Sequence, residues 1–252
     1  SEDDRWNLSF FVKSLIEHHD SDGKRVLVAT RRDHIPDDPR DSIWQSAPSL
    51  DVFMTGQLER APRHPNITVD LATIRAFYND EEIVLHLAWN DRTESVLHEP
   101  TQAPADVHDA YLPRAVLQSR RTHKLRDSVQ LQFPSGTHSD GSLPSFYLGG
   151  GSGSVTLWRW FADRERAKKE AAFTEGVQRG AERAPVVRSP ADTLVRGHST
   201  YEDGRWMLVL RRRRARVGEP GISFQPGTFV TFAMQVWDGG NGEDDSLCAI
   251  AS

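Results

Sequence analysis

Strict alternation of apolar and other side chains constrains this chain more than any other feature. Ile83, Leu85, Leu87 and Trp89 alternate with Glu82, Val84, His86 and Ala88. Val129, Leu131 and Phe133 alternate with Ser128, Gln130 and Gln132. The same rhythm recurs at Trp206, Leu208 and Leu210, and again at Val230, Phe232, Met234 and Val236. A period of two places each set on one face of a β-strand, so each strand buries one side. Further strands are expected over 51–55, 67–77, 155–161 and 194–200, separated by turn signals at Asn79-Asp80, Asp203-Gly204 and Asp238-Gly239-Gly240. Many short strands without a strand–helix–strand rhythm imply an all-β, antiparallel β-sandwich.

Two long insertions interrupt the pattern. Residues 94–126 are polar and rich in Arg and His, and 163–190 carry Glu165-Arg166-Ala167-Lys168-Lys169-Glu170-Ala171, a good local helix former. A short N-terminal helix is expected over 1–17. Ser1 is its N-cap, Trp6 and Phe10 share one face, and His18-His19-Asp20-Ser21-Asp22-Gly23 stops it. The expected organisation is therefore residues 1–23 as a terminal helix and 24–252 as the sandwich.

Composition narrows the function. The net charge is −5 with both signs interspersed, so no global basic field points to nucleic acid. The dense basic run Arg211-Arg212-Arg213-Arg214 is expected to be a solvated strand end or loop, or else a patch for a polyanion or lipid. No apolar run approaches the ~20 residues that span a bilayer. The single cysteine, Cys248, excludes an internal disulfide, and C-x-x-C-H is absent. The ten histidines lack zinc-ligand spacing, and no nucleophile–base arrangement is legible, so no catalytic site is expected. Asp91 and Asp127 adjoin strand ends, where turn hydrogen bonding is the ordinary role and paired acid–base work the sharper one. The acidic stretch from Asp238 to Asp245 reads as a solvated hairpin or a loose calcium loop.

Six segments carry a family resemblance. They are Asp41-Ser42-Ile43-Trp44-Gln45-Ser46-Ala47-Pro48, Leu87-Ala88-Trp89-Asn90-Asp91-Arg92-Thr93, and Arg126-Asp127-Ser128-Val129-Gln130-Leu131-Gln132-Phe133-Pro134. Then come Leu148-Gly149 with Val155-Thr156-Leu157-Trp158-Arg159-Trp160, Gly204-Arg205-Trp206 through Arg211, and Val236-Trp237-Asp238-Gly239. In this order and spacing they resemble the haem-binding γ-subunit domain of the ethylbenzene dehydrogenase family. The resemblance implies a non-covalent haem b in a β-sandwich, relaying single electrons for an oxidoreductase. The partners it implies are a molybdenum-containing catalytic subunit with an iron–sulfur subunit, or another cytochrome, in a periplasmic or otherwise extracytoplasmic setting. The N-terminal segment, with Arg5-Trp6-Asn7-Leu8 and Ser14-Leu15, resembles the last helix of a cytochrome c domain, which implies a haem c on an upstream domain outside this chain.

The family's axial ligands are a Met before the Gly of the fourth segment and a Lys after the last segment. Here those positions hold Leu148, which has no donor atom, and Cys248. Cys248 is then either a thiolate ligand or a small buried apolar residue. His138 is a substitute metal ligand or a solvated loop residue. Trp158 and Trp160 share one strand face, either as core or as a haem-flanking wall, and Gly149 adjoins the ligand position. An apolar slot between the sheets near Leu148 and Cys248 is the expected haem site. The alternative is a haem-free module binding carbohydrate or a partner subunit.

Overall fold

The computed structural model describes residues 26–96, 125–135, 142–150, 153–168, 171–180, 184–214, 222 and 224–251. The helix expected over 1–17, most of the 94–126 insertion and His138 lie outside the described residues.

Thirteen strands form two sheets. The first holds β1 (Ala29–Arg31), β2 (Ser49–Phe53), β4 (Leu71–Tyr78), β5 (Glu82–Asn90), β10 (Val195–Glu202) and β11 (Arg205–Arg213). Its order is β1-β4-β5-β11-β10, with β2 also on β4. The second holds β3 (Thr55–Gly56), β6 (Ser128–Pro134), β7 (Ser154–Phe161), β8 (Phe173–Arg179), β9 (Val186–Val187), β12 (Ala233–Trp237) and β13 (Ala249–Ala251), in the order β3-β13-β12-β6-β7-β8-β9. Every pairing is antiparallel except β1 on β4, where Ala29 lies beside Ala76 in a parallel ladder. The expected sandwich is present.

The alternating sets meet between the sheets. Trp89, Trp206, Trp158 and Trp160 all lie in the main core, and Trp160 sits edge-on to Trp206 at 4.9 Å and to Trp89 at 6.0 Å. Edge-to-face packing sets ring edges against π-faces and adds to the area buried. The opposite face of β5 is buried as well. A 3-10 turn at Ser42–Ser46 lays Trp44 over Phe77, Val84 and Val209, forming a second small core. His86 stacks on Trp44 at 5.0 Å, and its Nε2 meets the Pro39 carbonyl at 3.0 Å.

Two readings of the sequence change. Among its described residues the insertion 163–190 has one short helix, α1 (Ala162–Arg166), before β8 and β9 rejoin the sheet. Helix propensity there gives way to ladder pairing with β7. The arginine run is solvated only at its end, where Arg213 is exposed. Arg211 and Arg212 are buried within β11. Arg212 donates to Glu175 Oε1 at 3.0 and 3.2 Å and to the carbonyls of Arg213 and Ile222. Arg211 donates to the carbonyls of Ile35 and Pro36 and to Glu82.

Candidate functional site: an apolar cavity between the sheets

The strands β5, β6 and β12 organise both ends of the sandwich. At one end, Ile83 and Leu85 of β5, Leu131 and Phe133 of β6, and Met234 of β12 line a cavity of about 560 Å³. Ile74, Ala76 and Tyr78 of β4 and Ala251 of β13 complete its walls, and the segment Phe224–Phe232 forms a lip. That volume lies within the roughly 300–1,000 Å³ of small-molecule and cofactor pockets, which are likewise mostly apolar. Phe229 on the lip is 87% exposed, an unusual position for a large apolar ring. Among the described lining residues, Met234 brings a thioether and Tyr78 a phenol. Alternation placed Met234 on a strand face as packing, and it is buried in the main core, where it also borders the cavity.

Leu148, Gly149, Trp158, Trp160 and Cys248 do not line this cavity. Trp158 and Trp160 are fully buried deeper in the core, against Phe133 and Trp206 respectively, and so offer no exposed aromatic platform. Leu148 lies in the Ser145–Gly149 turn. That turn covers Gln132, whose neighbours Leu131 and Phe133 face the core, so it sits against the outer face of the second sheet. The Gln132 amide clips the turn in place: its Nε2 donates to Ser145 O at 2.9 Å, and its Oε1 accepts from Leu148 N at 2.7 Å. Leu148 has a φ of 52°, a left-handed conformation that a branched side chain rarely adopts. Gly149 follows at φ 82°, and a Cβ there would meet the Gly153 carbonyl at 2.6 Å, so the turn requires glycine. Cys248 is buried just before β13. Burial, then the charges of Glu243 and Asp245, hold its thiol well above the usual range.

At the other end, the same three strands end or begin at carboxylates. Asp91 follows β5, Asp127 precedes β6 and Asp238 follows β12. One oxygen from each lies within 4.8 Å of the others, and all three residues are buried. From Leu85 to Asp91 the strand runs roughly 20 Å, so this cluster is remote from the cavity. Burial, then the charges of Asp238 and Glu243, pushes the Asp91 carboxyl upward; burial, then the charge of Asp91, does the same to Asp127. The sequence had placed all three at strand ends; it did not show that they meet.

The fold is a two-sheet β-sandwich with a mostly apolar cavity between its sheets. Residues 41–185 match the family model described as ethylbenzene dehydrogenase, and the chain belongs to that family. It is 27% identical over 219 residues to the dimethylsulfide dehydrogenase subunit gamma of Rhodovulum sulfidophilum, covering 84% of this chain and 71% of that protein. It is 26% identical over 216 residues to the chlorate reductase subunit gamma of Ideonella dechloratans, covering 84% and 75%. A Haloferax mediterranei protein, provisionally named a respiratory nitrate reductase haem subunit, is 23% identical over 209 residues, covering 82% of this chain and 63% of that one. A family 9 carbohydrate-binding module from Caldicellulosiruptor kristjanssonii, in complex with glucose, overlays with a TM-score of 0.40 at 10% identity, over 90% of this chain and 84% of that one. Among the described residues no helix is long and apolar enough to cross a membrane.

Proposed function

We propose that this domain is an electron-transfer module that holds a non-covalent haem b in the cavity between its sheets. On this reading it serves a molybdenum-containing oxidoreductase, with an iron–sulfur subunit or another cytochrome as its redox neighbour, outside the cytoplasm. The observation that carries the reading is the cavity itself, about 560 Å³ with walls drawn from both sheets, in a member of a family with γ-subunit relatives. Its size and apolar lining suit a porphyrin, and Met234 supplies a thioether of the kind that ligates haem iron. Bound haem would supply one-electron chemistry. The chain's own contribution is to exclude water from the macrocycle and to place it between strands anchored in a rigid tryptophan core. The haem c domain inferred upstream from the N-terminal segment would be a second relay.

Leu148 has no donor atom, and neither it nor Cys248 lines the cavity, so no step is assigned to them. They favour a second reading, a haem-free sandwich that binds a partner subunit in the same complex. Haemin titration of the purified full-length protein, with a pyridine-haemochrome assay, separates the two. The first reading expects one b-type haem per chain and a Soret band. Ala251→Trp, which fills the half-buried cavity wall, should weaken haem binding at least tenfold. Absence of a Soret band at saturating haemin overturns the first reading and leaves the second. Haem binding unaffected by Ala251→Trp overturns the cavity assignment.

A further inference from the structure

The carboxylate cluster at the far end of the sandwich has an arrangement that the electron-transfer reading does not use. Asp127 Oδ1 accepts from Gly239 N at 2.9 Å, and its Oδ2 accepts from Ser95 N and Trp206 Nε1. Asp238 Oδ1 accepts from Asn241 N at 3.0 Å, and its Oδ2 from Thr68 Oγ1 at 2.7 Å. Asp91 Oδ1 accepts from Thr93 N at 3.0 Å, while its Oδ2 is buried with no hydrogen-bond partner among the described residues. Asp91 itself is only 3% exposed. Among the described residues, no Lys or Arg forms an ion pair with any of the three. His64 pairs with Glu243 at 3.0 Å, and Glu243 in turn accepts from Asp238 N. A buried carboxylate oxygen without a donor costs about 1–3 kcal/mol or more and calls for an explanation.

A cation supplies that explanation. Two oxygens bound to one Ca²⁺ at 2.3–2.6 Å can lie no more than about 5 Å apart, and these three lie within 4.8 Å of one another. Each oxygen that already accepts one hydrogen bond keeps a second lone pair for a metal. The surrounding backbone is drawn in tightly. A Cβ on Gly240 would sit 2.0 Å from Thr93 Oγ1 and 3.2 Å from Asp238 Oδ1, and one on Gly239 would sit 2.5 Å from Arg126 N. The all-oxygen, hard, anionic donor set suits Ca²⁺ over softer ions.

We propose that Asp91, Asp127 and Asp238 bind a divalent cation of the calcium class, which ties β5 of the first sheet to β6 and β12 of the second. The site is structural: it joins the two sheets at the end opposite the cavity. The test is thermal unfolding of the chelator-treated full chain against Ca²⁺ and Mg²⁺, with calorimetric titration of Ca²⁺. At about 100-fold excess over Kd, Ca²⁺ should raise Tm by roughly 5–10 °C, and Mg²⁺ by less. Asp91→Asn keeps the shape and removes one charge, so it should lose most of that rise and bind Ca²⁺ at least tenfold more weakly. Asp238→Asn should behave in the same way, which guards against a folding defect in either variant. A wild-type Tm that ignores Ca²⁺, with no heat of binding, overturns the proposal. So does an equal Ca²⁺ response in Asp91→Asn and wild type. A larger response to Mg²⁺ than to Ca²⁺ overturns the calcium assignment.

Discussion

Replacing Glu175 with Gln tests how this sandwich handles its buried charge. Arg212 is fully buried on β11 and Glu175 is 1% exposed on β8. The guanidinium spends two of its N–H groups on Glu175 Oε1 and one nitrogen on two backbone carbonyls, and it stacks over Trp158 with its carbon 5.6 Å from the ring centroid. Gln keeps the shape but removes the counter-charge, and arginine does not deprotonate in proteins. An uncompensated charge then remains in the core, at a cost of about 3–5 kcal/mol. For a chain of this size that corresponds to a Tm lower by roughly 6–20 °C. Urea unfolding followed by tryptophan fluorescence measures it directly. Arg212→Met should cost less, because Arg188 already approaches Glu175 Oε2 at 3.8 Å from a half-exposed position. The double variant closes a cycle whose coupling energy should be about 1–3 kcal/mol in favour of the pair. A loss below about 1 kcal/mol for Glu175→Gln, or a coupling near zero, refutes the reasoning.

Two other consequences are measurable. Burial behind Trp44 lowers the His86 pKa from 6.5 to about 4, so the folded protein binds fewer protons there than the unfolded chain does between those values. The His86 contribution to stability should therefore be full above about pH 6.5 and fall by up to about 3 kcal/mol as the pH drops towards 4, and the difference between wild type and His86→Gln in a series of denaturant melts isolates it. Cys248, buried and held as a neutral thiol, should resist a thiol reagent in the native protein and react at a rate set by opening of the fold; rapid labelling under native conditions contradicts its placement.

Much of the fold was legible because one face of each long strand had to be apolar. β5, β6, β7 and β11 could be read from alternation alone, since a one-residue slip would turn Leu87 or Leu131 to the wrong face. The second covering of β5 was less legible. Val84 and His86 are buried only because Trp44 packs over them from a distant segment. β8 was hidden by the helix-forming residues before it, and β1, β3, β9 and β13 are too short to carry a period. The Arg211–Arg214 run read as solvent-facing because a row of arginines ordinarily is. Glu175 reverses this for Arg212, and nothing in local sequence announces that partner.

The site divides in the same way. Motif order alone linked Trp44, Trp89, Asp127 and Leu148 to one family, and the family match over residues 41–185 bears this out. The tryptophans had to be buried somewhere, because no period-two strand leaves that much aromatic surface in water. Sequence also located Asp91, Asp127 and Asp238 at strand ends. Only the tertiary structure decided that these ends converge, because contact between residues 91, 127 and 238 depends on strand order in two sheets and not on spacing along the chain. The cavity is a tertiary outcome too. Its walls come from β1, β2, β4, β5, β6, β12 and β13, and no single segment encodes a volume. Periodicity dictates which face of a strand turns inward; only the pairing of strands across the chain decides what that face meets.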